Sequence, residues 1–116
     1  MAADKTKFLS MLGLARKAGK VIIGSPLICE HLGKRVKPSL VIIASDASEQ
    51  SVKRLTVKSE FYQVQSIISS ATKASLAHAV GKESEIAALA ITDKGFASEL
   101  LKLSGKEASD TNGSAE

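Results

Sequence analysis

Aromatic residues are scarce in this chain. Three phenylalanines, one tyrosine and no tryptophan make up 3% of its 116 residues. That supply argues against stacking platforms built from exposed aromatic pairs. Cysteine is scarcer still. Cys29 stands alone, which excludes an internal disulfide and fits a reducing compartment, with cytoplasm as the default. Apolar runs are short, as in Ile86 to Ile91, and none could span a membrane. The opening residues, Met1 to Lys7, lack the long apolar stretch of a secretory signal. Neither a Gly-x-x-x-x-Gly-Lys-Ser/Thr loop nor a Gly-x-Gly-x-x-Gly fingerprint occurs, which argues against nucleotide binding of those types.

Acidic residues are few in the first third. Residues 1–37 hold eight Lys/Arg against Asp4 and Glu30, a net of +6. Residues 38–116 hold eight against ten, a net of −2. Charge segregated in this way points to an anionic partner met by one region, whereas an even spread would mostly serve solubility. Apolar residues reach 44%, enough for a globular chain with one real core.

Helical and strand patterns alternate. Phe8, Met11, Leu12 and Ala15 follow helical spacing, so residues 4–18 read as an amphipathic helix ending at Gly19. Lys20 to Ile23 reads as a short strand. Ser25 reads as an N-cap with Pro26 at the first helical position, and Gly33 ends that helix. Leu40 to Ala44 is a continuous apolar strand of the buried central kind. Asp46 or Ser48 starts a third helix. Phe61 to Ile67 reads as a strand. Thr72 caps a fourth helix that ends at Gly81, with His78 near its apolar side. Ile86 to Ile91 is a second buried strand, and Thr92 or Asp93 starts the last helix. Residues 105–116 are polar without periodicity and read as a disordered tail after a single domain of 1–104. The order αβαβαβαβα predicts a three-layer α/β/α sandwich around a central four-stranded mixed sheet.

Convergent catalytic chemistry is lacking. Cys29, Glu30 and His31 are consecutive on a helix and project in different directions, so Cys29 reads as a packing residue and no metal is expected. Ser45 and Asp46 follow a buried strand but read better as caps of the next helix. Two features remain. One is the helix start at Gly24-Ser25-Pro26, with Arg16, Lys17 and Lys20 before the strand that leads into it. The other is the loop Ser69-Ser70-Ala71-Thr72 before another helix start. Helix N-termini offer unpaired N–H groups and partial positive charge. On neighbouring strands, the two starts would form one anion-binding groove. With the charge asymmetry, this favours RNA, recognised by shape and phosphate more than by stacking.

Leu12 to Lys20, Gly24, Leu40 to Ser48, and Ile91-Thr92-Asp93-Lys94-Gly95-Phe96 together resemble the kink-turn-binding ribosomal proteins of the L7Ae family, nearest its small bacterial members. The resemblance covers about residues 5–103 in order. It implies an α/β/α sandwich that docks the start of its second helix, here Gly24 to Glu30, into a sharply bent RNA loop. It also implies closure by a loop before a later helix, here Ser69 to Thr72. Strong binders carry Asn-Glu or similar residues just after the glycine, with a lysine further on. The matching positions here are Pro26, Leu27 and Glu30, so the resemblance implies weaker base reading.

The reading is therefore a cytoplasmic, non-enzymatic RNA-binding protein without cofactors, a monomer whose partner is structured RNA of the kink-turn type, ribosomal RNA included. Arg16, Lys17, Lys20, Lys34 and Arg35 would hold phosphate. Gly24, Ser25, Pro26, Leu27 and Glu30 would line the groove, and Ser69, Ser70, Ala71 and Thr72 would touch the extruded RNA. The alternative is a protein-interaction adaptor on the same fold.

Overall fold

The computed structural model describes residues 5–104. The chain runs α1 (Lys5–Lys17), β1 (Val21–Ile23), α2 (Ser25–Leu32), β2 (Leu40–Ile43), α3 (Glu49–Phe61), β3 (Gln65–Ile68), α4 (Lys73–Ala79), β4 (Ala88–Ile91) and α5 (Lys94–Leu103). The segment 105–116, read as a tail, lies outside the described residues.

The two continuous apolar segments, β2 and β4, are fully buried. A strand covered on both faces needs apolar side chains on both, and these two have them. They therefore take the centre of the sheet, whose order is β1-β4-β2-β3. β4 runs antiparallel to β1 and β2, while β2 and β3 are parallel, so the sheet is mixed.

Alternation along the central strands sorts the helices into layers. Leu40, Ile42, Leu89 and Ile91 pack with Phe8, Leu12, Leu76 and Leu100, from α1, α4 and α5. Val41, Ile43, Ala88 and Ala90 pack with Ile28, Leu32 and Leu55, from α2 and α3. The small Ala88 and Ala90 lie on the side covered by two helices, and the bulky Leu89 and Ile91 on the side covered by three.

Four local readings differ from the sequence pattern. The chain over Phe61–Ile67 is not one strand: Phe61 closes α3 and β3 begins only at Gln65. Gln63 reverses the chain there at φ 61°, and the strand preference of Phe61 and Tyr62 loses to the helix. The strand read over Ile86–Ile91 starts at Ala88, since the Ile86 N–H turns toward the Lys73 carbonyl. Ser25 is not the N-cap of α2. The Ile28 N–H bonds to the Gly24 carbonyl at 3.0 Å, so the cap is Gly24 and Pro26 is the second helical residue. His78 is exposed rather than turned to the apolar side.

Thr72 caps α4 as read; of the two candidates for α3 the cap is Ser48 and not Asp46, and of the two for α5 it is Asp93 and not Thr92, each cap accepting an N–H from the residue three positions on.

Candidate functional site

Strand directions give the sheet two unlike edges. The ends of β1, β2 and β3 lie at one edge, together with the start of β4. A row of backbone bonds ties this edge together. The Gly24 N–H donates to the Ala88 carbonyl, Ala44 to Ala87, Ser69 to Ile43 and Ser45 to Ala71, at 2.8–3.1 Å. Thr92 donates to Lys20 and Ser39 to Ile91 at the opposite edge.

The first edge carries both helix starts, but on the outer strands. Gly24 follows β1 and the Ser69–Thr72 loop follows β3, with β4 and β2 between them. Three strand spacings separate the two, about 14 Å. The expected groove on neighbouring strands does not form, because the apolar β2 and β4 claim the centre.

The two starts also differ electrically. Gly24 sits at φ 98°, ψ 140°, a conformation that residues with a Cβ rarely adopt. This sharp entry gives α2 no side-chain cap. Pro26 has no N–H, and the N–H groups of Ser25 and Leu27 have no partner among the described residues. Beside them, Pro26 and Leu27 are exposed, Leu27 by 48%. The α2 start can therefore receive acceptor atoms.

The α4 start is already occupied. The Lys73 N–H donates to Asp46 Oδ1 at 2.8 Å, and the Ser75 N–H donates to Thr72 Oγ1 at 3.1 Å. Ser69 is buried, its hydroxyl directed to the Ile43 carbonyl and accepting from the Ala71 N–H. Ala71 is buried too. Of this loop, only Ser70 is exposed and Thr72 is half-buried.

The cations lie elsewhere. Lys20 stands at the start of β1 and Gly24 at its end, about 13 Å apart at strand rise. Arg16 and Lys17 close α1, on the Lys20 side. α2 carries the chain back across the sheet, so Lys34 and Arg35 also arrive near this second edge. Arg16, Lys17, Lys20 and Arg35 are exposed and take part in no ion pair among the described residues. Glu30 is exposed on α2 and pairs with Lys34 at 3.5 Å. A shallow hollow of about 540 Å³ is lined there by His31, Lys34, Arg35, Lys37 and Thr92.

The site residues thus divide into an open helix start at one edge and a basic cluster at the other, with α2 joining them. Adjacency in sequence misled here, since a strand carries its two ends to opposite edges. The sequence reading also missed the role of Asp46, whose partner lies 27 residues away. It missed the outer face of α3 as well, where Lys53, Val57 and Phe61 recur at helical spacing.

Cys29 is half-buried against the α2/α3 core, and His31 Nδ1 lies 2.9 Å from the Leu27 carbonyl. No group of three metal-ligating side chains occurs among the described residues. None of the described helices is long and apolar enough to cross a membrane.

Layers and sheet order together define a small α/β/α protein with a mixed four-stranded sheet. The chain belongs to the Ribosomal protein L7Ae/L30e/S12e/Gadd45 family, which it matches over residues 6–101. It is 33% identical over 97 residues to the RNA-binding protein YlxQ of Bacillus subtilis (strain 168), covering 84% of this chain and 94% of that one. To the RNA-binding protein YlxQ of Enterococcus faecium it is 31% identical over 100 residues, covering 86% and 93%. A solved protein of unknown function from Bacillus halodurans C superposes with a TM-score of 0.79 at 30% identity, covering 86% of this chain and 98% of that one. The Giardia lamblia 15.5kD RNA binding protein shares the fold, with a TM-score of 0.71 at 19% identity, covering 87% and 84%.

Proposed function

We propose that this chain is a non-enzymatic, cytoplasmic RNA-binding protein whose ligand is a kink-turn or similar bent internal loop, with ribosomal RNA as the natural source. Family membership and the RNA-binding relatives support the general reading. The observation that carries the specific one is the α2 start, where Gly24 opens the backbone and leaves the Ser25 and Leu27 N–H groups unpaired. A bent RNA would set its loop on this start and lay one stem along α2. That stem would reach Lys34, Arg35 and the Arg16-Lys17-Lys20 cluster. The distance from loop to cations suits an RNA of helical length better than a small ligand. Pro26 and Leu27 offer no side-chain hydrogen bonds to base edges, so affinity rests on backbone donors, phosphate contacts and shape.

Mobility shifts on a kink-turn RNA beside a straight duplex of matched length test the reading. Tighter binding to the kink-turn is expected, and equal affinity overturns kink-turn selectivity. Absence of binding to either at low salt overturns RNA binding itself. Co-sedimentation with ribosomal particles that is lost after ribonuclease treatment is expected for the ribosomal source. A protein-adaptor reading draws on the exposed Leu27, and it predicts partners that survive ribonuclease.

A further inference from the structure

α3 turns Leu55 inward, yet its last two turns also carry the reverse pattern. It buries Ser59, whose Oγ has no hydrogen-bond partner, while Phe61 is 77% exposed and Val57 is 56% exposed. An unpaired buried hydroxyl is costly, and so is a phenylalanine left in water. The arrangement is accounted for if the outer face has work to do. Three cations share its groove. Lys53, Arg54, Val57, Lys58, Phe61 and Tyr62 line one shallow groove of about 540 Å³. Lys53, Arg54 and Lys58 make no ion pair among the described residues. α3 also carries Glu49, four residues before Lys53, and Glu60, which leaves the helix a net of +1.

The ring is also oriented. Phe61 meets Tyr62 edge-on, with centroids 4.9 Å apart at 90°. Tyr62 in turn lies under Lys37 Nζ at 5.3 Å. The contact with Tyr62 sets the Phe61 plane without covering the ring. Phe61 is therefore an exposed ring held against a half-buried one, an arrangement that the low aromatic content did not suggest.

We propose that this α3 face binds an unpaired stretch of RNA, one base stacking on Phe61 while successive phosphates follow Lys58, Arg54 and Lys53 up the helix. Phe61 and Lys53 are eight residues apart, about 12 Å at helical rise, a span that suits two or three phosphates of an extended strand. Stacking on an aromatic ring beside lysine and arginine is how sequence-tolerant single-strand sites are made. The surface lies on the outer face of α3, apart from the α2 start. It does not depend on the kink-turn reading.

The test is fluorescence anisotropy of a labelled decauridylate at low salt, with a kink-turn RNA measured in parallel. Phe61→Ala should weaken decauridylate binding by about five- to hundredfold, the loss of one stacked base. Phe61→Tyr should retain it, and Phe61→Leu should lose it as alanine does. Replacing Lys53, Arg54 and Lys58 by Gln should reduce the salt slope by about two. The ring is exposed, so thermal melts of these variants should match the parent. Kink-turn affinity should be unchanged by Phe61→Ala, which separates this site from the α2 start. Undiminished decauridylate binding by Phe61→Ala overturns the proposal. Full retention by Phe61→Leu does so too, because it marks an apolar protein-docking surface instead. Failure of the parent protein to bind decauridylate at low salt also overturns it.

Discussion

Asp46, beyond the end of β2, accepts a hydrogen bond at 2.8 Å from the backbone N–H of Lys73, the first residue of α4. A carboxylate supplied by one loop thus caps a helix started by another. Thr72 caps the same helix from the position just before it. Asp46→Ala should cost about 1 kcal/mol, the ordinary value of an N-cap, and Asp46→Asn should cost less because an acceptor remains. Urea unfolding measures both. Both changes also remove a negative charge from the edge of the sheet proposed to meet RNA. They should tighten kink-turn binding even as stability falls, and mobility shifts read that opposite sign.

Gly24 makes the α2 start possible. At φ 98° a Cβ meets little but Pro26 Cδ at 3.9 Å, so the obstacle is backbone conformation rather than space. Gly24→Ala should cost about 1–3 kcal/mol, the usual strain of a non-glycine residue held in such a region. Gly24→Val should cost more. If the chain relieves the strain by rotating Gly24, the Ser25 and Leu27 N–H groups turn with it. RNA affinity should then fall in the alanine variant even under conditions where it is fully folded. Thermal unfolding alongside mobility shifts separates the two losses.

Much of the fold was legible where the pattern was local. The continuous apolar runs of β2 and β4 read as central strands, Thr72 read as a cap, and Ser48 and Asp93 were each one of two adjacent candidates. Strand order was not legible, because β4 enters between β1 and β2 through pairings between residues far apart in sequence, from Ile43 with Ala88 to Val21 with Ile91. The segment after Lys58 misled for a different reason. Phe61 and Tyr62 prefer strands, but the Tyr62 N–H bonds to the Lys58 carbonyl and its ring packs against the α2/α3 core, which keeps this stretch with the helix. At the site, Gly24 and the Ser69–Thr72 loop were found from turn chemistry. Their separation, and the distance from Gly24 to the cations, follow from strand direction and sheet order, which no short motif carries.

Gln63 marks the turn that the strand reading missed. It takes φ 61° without being glycine, directly after the α3 C-cap Tyr62. Its N–H bonds to the Glu60 carbonyl and the next N–H, of Val64, to Ser59, the pattern of a helix stopped by one left-handed residue. Gln63→Gly should stabilise the protein by up to about 1 kcal/mol, the relieved left-handed cost less the added freedom of the unfolded chain. Gln63→Val should destabilise it, since a β-branched side chain fits that region poorly. Paired urea titrations give both signs.

Glu30 is the residue on α2 whose charge opposes the proposed ligand. It is exposed and pairs with Lys34 at 3.5 Å, an i,i+4 contact worth about 0.3–0.5 kcal/mol at most on a helix surface. Glu30→Lys removes that small term and should lower stability by no more than a few tenths of a kcal/mol. Its effect on RNA should be larger. The change frees Lys34 and adds a cation midway between the α2 start and the Lys34-Arg35 cluster. Kink-turn binding should tighten, and the slope of log affinity against log salt should steepen by about one to two, the count of phosphates newly neutralised. Glu30→Gln should give an intermediate result, since it releases Lys34 without adding charge. A salt titration in which all three proteins share one slope would show that Glu30 does not face the RNA, and would move the ligand off α2.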